Sequence, residues 1–297
     1  METNWGIIGH QNIVRYLENC LKKNRLVNTY LFYGIGHLGK TTAALKFAER
    51  LLGEASGHHP DLFELSLQDG KKDISIDQVR EWQRWLGLKA FLNGYKVGII
   101  HQAENLNLES ANALLKTIEE PTVKTILILI TSAWEQLLPT IVSRSQQIHF
   151  LPVNEKELTQ AVCQRVNNLK AKEILEFSCG RPGLAIRFSE DKEFFQEFCK
   201  LRAEVIGLFS APLSQRFSFV EQFLNSKDYQ ENAGKALNFF QHLEFVLKEK
   251  LLISIASEAA DSRKKLIKLF GLLNQGRQVL KNNVQPRLAL ENLLINL

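Results

Sequence analysis

Gly34-Ile35-Gly36-His37-Leu38-Gly39-Lys40-Thr41-Thr42 is the stretch on which the fold turns. It fits G-x-x-x-x-G-K-[ST], the P-loop pattern, whose chemistry is phosphate binding. Before it stands Thr29-Tyr30-Leu31-Phe32-Tyr33, apolar, aromatic and β-branched, which predicts a short buried strand. After it, Ala43 to Leu52 is a run of strong helix formers. Strand, glycine turn and helix is the context the motif needs. Gly34, Gly36 and Gly39 let backbone N–H groups turn inward around phosphate oxygens. The helix start adds unpaired donors and the positive end of its dipole. Lys40 supplies a point charge to the outer phosphates, and Thr41, with Thr42 beside it, a hydroxyl for Mg²⁺. These residues predict a site for ATP or ADP with Mg²⁺.

Working outward, Ile13, Val14, Leu17 and Leu21 recur at helical spacing and predict an amphipathic helix within 6–27. Gly53 to Pro60 reads as a polar connection containing His58 and His59. Adjacent loop histidines without cysteines do not make a metal site, and none is assigned. Further strands are expected at 61–67, 95–100, 125–130 and 147–150, and helices at 76–89, 109–119 (stopped by Pro121) and 135–142. The 125–130 run is continuously apolar and β-branched, as in a strand covered on both faces. Strands alternating with helices imply a parallel sheet. After Pro152 only helical periodicity remains: a first group to about Arg187, interrupted at Gly180-Arg181-Pro182-Gly183, then helices near 194–208, 214–225, 230–255, 262–281 and 286–296. The fold class is therefore α/β, with a P-loop parallel-sheet domain at 1–152, a small helical lid at 153–192 and an all-helical domain at 193–297.

The bulk properties agree. A chain of 297 residues, 45% hydrophobic and 23% charged, buries a sizeable core in two or three domains. A net charge of +5 permits nucleic-acid contact without requiring it. Cysteines 20, 163, 179 and 199 form no C-x-x-C pair and read as buried free thiols of a reducing cytosol. The first residues, Met1-Glu2-Thr3-Asn4-Trp5, lack a signal pattern, and no apolar run reaches membrane-spanning length. A cytoplasmic protein without a membrane partner is expected.

A hydrolytic P-loop site needs a second, acidic half: an Asp ending a neighbouring strand to orient Mg²⁺, and often a Glu to polarise water. The candidate strand, Lys96-Val97-Gly98-Ile99-Ile100, runs instead into His101-Gln102-Ala103-Glu104. An imidazole or an amide is a poorer ligand for hard Mg²⁺ than a carboxylate. Glu104 substitutes only where the strand ends late.

That strand, together with Asn112-Ala113-Leu114-Leu115-Lys116-Thr117-Ile118-Glu119-Glu120-Pro121 and Ser143-Arg144-Ser145, resembles the bacterial clamp-loader AAA+ family of the DNA polymerase III holoenzyme, and within it the delta-prime branch. The N-A-L-L-K-x-x-E-E-P stretch is highly specific. The likeness covers about the first 190 residues and recurs at Asn283-Val284-Gln285-Pro286-Arg287-Leu288-Ala289-Leu290-Glu291. It implies that Arg144 is a trans-acting arginine finger, inserted into the ATP site of a neighbouring subunit, and that 193–297 is an oligomerisation collar. Family members that hydrolyse ATP carry Asp-Glu where this chain has His101-Gln102, and an arginine where it has Gly183. Many hold a four-cysteine zinc knob, whereas this chain has no cysteine between 21 and 162, so no zinc is expected.

The resemblance thus implies a clamp-loader subunit in DNA replication, with gamma/tau-like ATPases, a delta-like subunit, the sliding clamp and primer–template DNA as partners, and with little or no hydrolysis of its own. The alternative is a catalytically active, gamma/tau-like ATPase subunit, which the two missing carboxylates disfavour. A small-molecule kinase lacks any further acid/base cluster. DNA contact has two candidate surfaces, Lys116 on the 109–119 helix and the basic stretch 262–290, the latter read first as a solvated helix face.

Overall fold

The computed structural model describes residues 5–53, 59–68, 70–91, 94–121, 124–164, 168–256, 260–281 and 284–297. His58 and Asn283 lie outside the described residues. The chain divides into two compact units, Met1–Ser189 and Glu190–Leu297.

The first unit is built on a parallel sheet. Its strands are β1 (Thr29–Tyr33), β2 (Leu62–Leu65), β3 (Lys96–Ile100), β4 (Thr125–Thr131) and β5 (Gln146–His149), in the order β2-β3-β4-β1-β5. Every pairing is parallel. Side chains alternate between two cores, as the period of two dictates. Tyr30, Phe32, Val97, Ile99, Ile126, Ile128 and Ile130 face one; Leu31, Ile100, Leu127 and Leu129 face the other. All seven residues of β4 are buried, which accounts for its unbroken apolar run.

Helices α1 (Gln11–Lys22) and α2 (Lys40–Leu52) cover the first face through Val14, Leu17, Ala43, Ala44, Phe47 and Ala48. Helices α3 (Ile76–Leu86), α4 (Leu108–Glu119) and α5 (Pro139–Ser143) cover the second through Val79, Trp82, Leu86, Leu114, Ile118 and Ile141. Gly98 makes the second layer possible: a Cβ there would lie 2.4 Å from Cζ2 of Trp82, whose ring lies flush on the strand. Three short helices close the unit: α6 (Glu155–Cys163), α7 (Asn168–Ser178) and α8 (Pro182–Glu190).

The second unit is all helical, with α9 (Lys192–Leu208), α10 (Leu213–Phe223), α11 (Tyr229–Ala256), α12 (Ala260–Lys281) and α13 (Pro286–Ile295). Phe239, Phe240, Leu243, Val246 and Leu247 of α11 are buried in a core shared with Val205, Leu269, Leu273, Leu290 and Leu294.

The expected parallel sheet and C-terminal helices are present, with four corrections. The N-terminal helix is confined to 11–22, because His10 and Asn24 sit in left-handed conformations, φ 58° and 48°. Helix α3 stops at Leu86, short of Lys89. The expected 135–142 helix is a 3-10 turn at Trp134–Gln136 followed by α5, since Pro139 suits a first turn better than an interior. Cys163 and Cys179 are exposed rather than buried, the first closing α6 and the second following α7 in a left-handed turn, while Cys20 and Cys199 are half-buried.

Candidate functional site

Strand β1 delivers the chain into the P-loop at the carboxyl edge of the sheet, where open α/β sheets place their ligands. Gly34 has φ 139°, and a Cβ on it would lie 2.2 Å from the carbonyl oxygen of Phe150, so the strand can enter the loop only with glycine there. Gly39, at φ 85°, turns the backbone into α2, which begins at Lys40. The loop borders a cavity of about 600 Å³ lined by Gly36–Thr42, Ser66, His101, Gln102, Ile130–Ser132 and Gly183. Of the residues expected here, Gly36, Gly39, Lys40, Thr41 and Thr42 line it, and Gly34 forms its entrance turn.

Lys40 is buried, with Nζ donating to the carbonyls of Gly34 (2.6 Å) and Ile35 (2.7 Å) and reaching Ser132 Oγ at 3.4 Å. Burial pulls its ammonium down to about 8; the Glu104 carboxylate opposes this and Arg181 adds to it. His37, on the loop, is lowered by burial and by the charges of Arg181, Arg187 and Lys40. His10 is lowered by burial, against a backbone hydrogen bond with Leu38 and the charge of Glu157.

The acidic half is absent from the cavity wall. Strand β3 ends at Ile100, so Glu104 falls in the 3-10 turn that follows, where Oε1 accepts the Ser132 amide (3.2 Å). His101 holds Glu64 at 2.8 Å through Nε2, and Gln102 occupies a left-handed turn at φ 50°. No carboxylate appears among the described lining residues. Lys40, the hydroxyls and the loop amides suit phosphate; the same donor set does not suit Mg²⁺, which wants carboxylate oxygens.

Gly183 donates its N–H to the carbonyl of His37 (2.9 Å), and a Cβ there would lie 3.1 Å from that oxygen. A glycine thus brings the start of α8 against the P-loop backbone. Neither this contact nor the His101–Glu64 pair was readable from sequence. The β2–β3 register, which pairs Leu65 with Ile100, is the signal for the latter once known.

Arg144 lies far from this cavity. It ends α5, two residues before Gln146, which pairs with Tyr30. It therefore precedes the first residue of β5 at the amino edge of the sheet, whereas the P-loop follows the carboxyl end of β1. Its guanidinium is 3.0 Å from Glu119 Oε1, with the two side chains 44% and 46% exposed, and donates to the Thr140 carbonyl at 3.4 Å. The structure therefore separates Arg144 from the P-loop residues.

Other candidates resolve simply. His59 accepts the Asp61 amide at 3.1 Å, a turn contact. Among the described residues no group of three or more His, Cys, Asp or Glu side chains is arranged to hold a metal, and no helix is long and apolar enough to cross a membrane. In the basic stretch, Arg277 pairs with Glu244 (2.7 Å), Arg287 with Glu291 (2.7 Å), and Lys265 donates to the Leu297 carbonyl (2.5 Å). Lys116 is exposed on α4.

Residues 9–154 match the family described as DNA polymerase III, delta subunit. The chain is 31% identical over 243 residues to the DNA polymerase III subunit delta' of Bacillus subtilis, covering 74% of this chain and 72% of that one. It is 39% identical over 137 residues to subunit delta' of Pseudomonas aeruginosa, covering 40% of this chain and 42% of the relative, so that match spans less than half of the latter's length. A solved DNA polymerase III gamma-subunit-related protein of Thermotoga maritima superposes with a TM-score of 0.58 at 21% identity, over 94% of this chain and 97% of that one. The shared architecture is the α/β nucleotide-binding fold of AAA+ proteins followed by helices.

Proposed function

This chain belongs to the DNA polymerase III delta-prime family, and on that footing we propose that it serves as a clamp-loader subunit whose Arg144 completes the ATP site of a neighbour. The observation that carries the reading is the position of Arg144, at the sheet edge opposite its own cavity and half-exposed. A guanidinium at the sheet edge opposite its own P-loop does not face that loop's phosphates, but it can reach a second molecule. Its planar fork suits the charge spread over a transferring phosphoryl group. The ion pair with Glu119 is exposed and worth at most about 1 kcal/mol, so it restrains the side chain without trapping it.

The chain's own cavity then acts as a cradle rather than an engine. Lys40, the amides of the Gly34–Gly39 turn and the Thr41 hydroxyl would hold the phosphates of ATP or ADP, which would contribute charge and a base to the closed lid. No group at His101, Gln102 or Gly183 activates water or stabilises a leaving phosphate. In this reading 153–192 is the lid and 193–297 the collar that holds the subunits together. The partners are gamma/tau-like ATPases and a delta-like subunit, with the sliding clamp and primer–template DNA handled by the assembly in the cytoplasm. The paired cations of α12 and α13 favour a structural over a DNA-binding role for the 262–290 stretch.

The test is Arg144→Ala in the assembled complex. ATP turnover at the neighbouring site is expected to fall about 10³-fold or more, the usual worth of such an arginine, with assembly retained by size-exclusion chromatography. Unchanged turnover removes the assignment. The second reading, an active gamma/tau-like ATPase, is favoured only by the intact P-loop. Turnover by the isolated chain that disappears with Lys40→Ala would establish it instead.

A further inference from the structure

From the donor set of the cavity, we infer that the P-loop site takes a nucleoside diphosphate as a metal-free anion, and that the His101–Glu64 pair is what keeps divalent metal out. The inference rests on the reading of the Gly34–Thr41 turn as a phosphate cradle and adds the form of its ligand.

Mg²⁺ surrenders its water shell reluctantly, and protein sites hold it through one or two carboxylates beside the substrate phosphates. Among the described lining residues this cavity offers hydroxyls, an amide, two imidazoles and a lysine. Among the described residues, Glu64, Glu104 and Glu157 act on this region, and none of them lines the cavity. Glu64 is bound by His101 at 2.8 Å. Glu104 accepts the Ser132 amide through Oε1, its Oε2 being enclosed without a described partner rather than open to the cavity. Glu157 acts on His10, outside the P-loop turn.

The charge that Mg²⁺ would neutralise has other partners here. Lys40 lies within the loop, and Arg181 and Arg187 act on His37 from the lid. The N-terminus of α2 adds its own positive end. A divalent ion placed among these groups would meet cations and, among the described residues, no carboxylate lining the cavity; the nearest, Glu104, is held behind the wall on the Ser132 amide. Replacing the acidic residue at the end of β3 with His101 therefore does more than remove a catalyst. It converts the negative corner of the site into an imidazole whose ring nitrogen is already held, and reverses the preference between a metal chelate and the bare anion. A diphosphate fits this better than a triphosphate, which carries more charge to offset and forms the stronger chelate.

The experiment is equilibrium binding of ADP to the full-length chain by calorimetry, once with EDTA and once with millimolar Mg²⁺. Affinities agreeing within about twofold, or weaker binding with Mg²⁺, are expected. The double variant His101→Asp, Glu64→Gln restores a carboxylate to the cavity wall without placing it beside Glu64. It should bind ADP about tenfold more tightly with Mg²⁺ than with EDTA, a difference of about 1.4 kcal/mol. Tight binding by the unaltered chain only when Mg²⁺ is present overturns the metal-free assignment and leaves the cradle standing. Absence of ADP binding in both buffers overturns the cradle as well, while leaving the role of Arg144 to its own assay. A folded double variant still indifferent to Mg²⁺ overturns the part given to His101.

Discussion

Replacing Glu119 with glutamine tests whether Arg144 is held in reserve. In the free chain a single Glu119 oxygen lies 3.0 Å from the guanidinium, and both side chains are nearly half exposed. Exposed pairs of this kind contribute between zero and about 1 kcal/mol. The bond to the Thr140 carbonyl, at 3.4 Å, is long and weak. Insertion into a neighbouring ATP site requires the Glu119 pair to open, so Glu119→Gln lowers the cost of insertion by up to about 1 kcal/mol, a factor of up to about five in the equilibrium. The assay is complex ATPase titrated with the variant below saturation. Half-saturation should shift to lower subunit concentration by up to about fivefold, with the plateau unchanged. The gain should shrink near 1 M salt, where the screening length falls to about 3 Å and the pair in the unaltered chain is already weakened. A plateau that drops as far as that of Arg144→Ala would refute the reasoning, because Glu119 would then be orienting the arginine in the working state rather than storing it.

Three further outcomes follow from the geometry. Gly98→Ala puts a methyl 2.4 Å from Trp82 and should cost about 1–3 kcal/mol by overpacking, read as a lower urea midpoint by tryptophan fluorescence; an unchanged midpoint would mean that the layer is loosely packed. Burial holds the His242 imidazole below its ordinary value, and its Nδ1 meets the Asn238 carbonyl while Nε2 is enclosed without a described partner. The folded chain therefore keeps the ring neutral where the unfolded chain takes up a proton, so stability is full above about pH 6.5 and falls below it, by up to about 1.4 kcal/mol per pH unit for one group. His242→Leu should flatten the decline in melting temperature between pH 7 and 5, leaving the part due to His10 and His37, which shift in the same direction; an identical slope would exclude His242 as a contributor. Burial pulls the Lys40 ammonium down to about 8, so ADP affinity should weaken as pH rises through that value and the ammonium is lost, whereas Lys40→Met should bind weakly at every pH; a pH-independent affinity in the unaltered chain would show that the lysine does not meet the phosphate.

What the sequence carried, and what it withheld, divides along physical lines. Local signals were sufficient where a residue's own chemistry sets its conformation: the apolar period of β4, the glycines of the P-loop, and the chain reversal at Gly180. The C-terminal helices were likewise legible, because three- and four-residue spacings survive without knowledge of partners. Boundaries failed where one residue in a left-handed turn ended an otherwise helical pattern, as at His10, or where a proline divided a segment, as at Pro139. Partnerships were invisible. Nothing in the order of residues pairs Glu64 with His101 across two strands, or the Gly183 amide with the His37 carbonyl, since both depend on register and on docking. The pairing of Glu119 with Arg144 was equally hidden, although both residues stand in the motifs that carried the family resemblance.

The two ends of the sheet show why an intact P-loop does not by itself argue for hydrolysis in this chain. Lys40 has work to do without any ligand: its ammonium holds the carbonyls of Gly34 and Ile35, polar groups that an apolar residue would leave without this donor in a half-buried turn. A loop that needs its lysine to fold keeps the motif whether or not phosphate is hydrolysed beside it. The carboxylates after β3 have no such local duty, and in their place His101 joins Glu64 and Gln102 makes a turn. On the proposed reading, an absence of hydrolysis follows from the residues after β3, and the P-loop sequence need not record it. Arg144, the finger proposed above, stands on the opposite edge, where its environment is set by α4 and α5 and not by the cavity. The described contacts of Arg144 and those of the cavity share no residue, so on the proposed reading a subunit of this build can lack turnover of its own and still present its arginine to a neighbour.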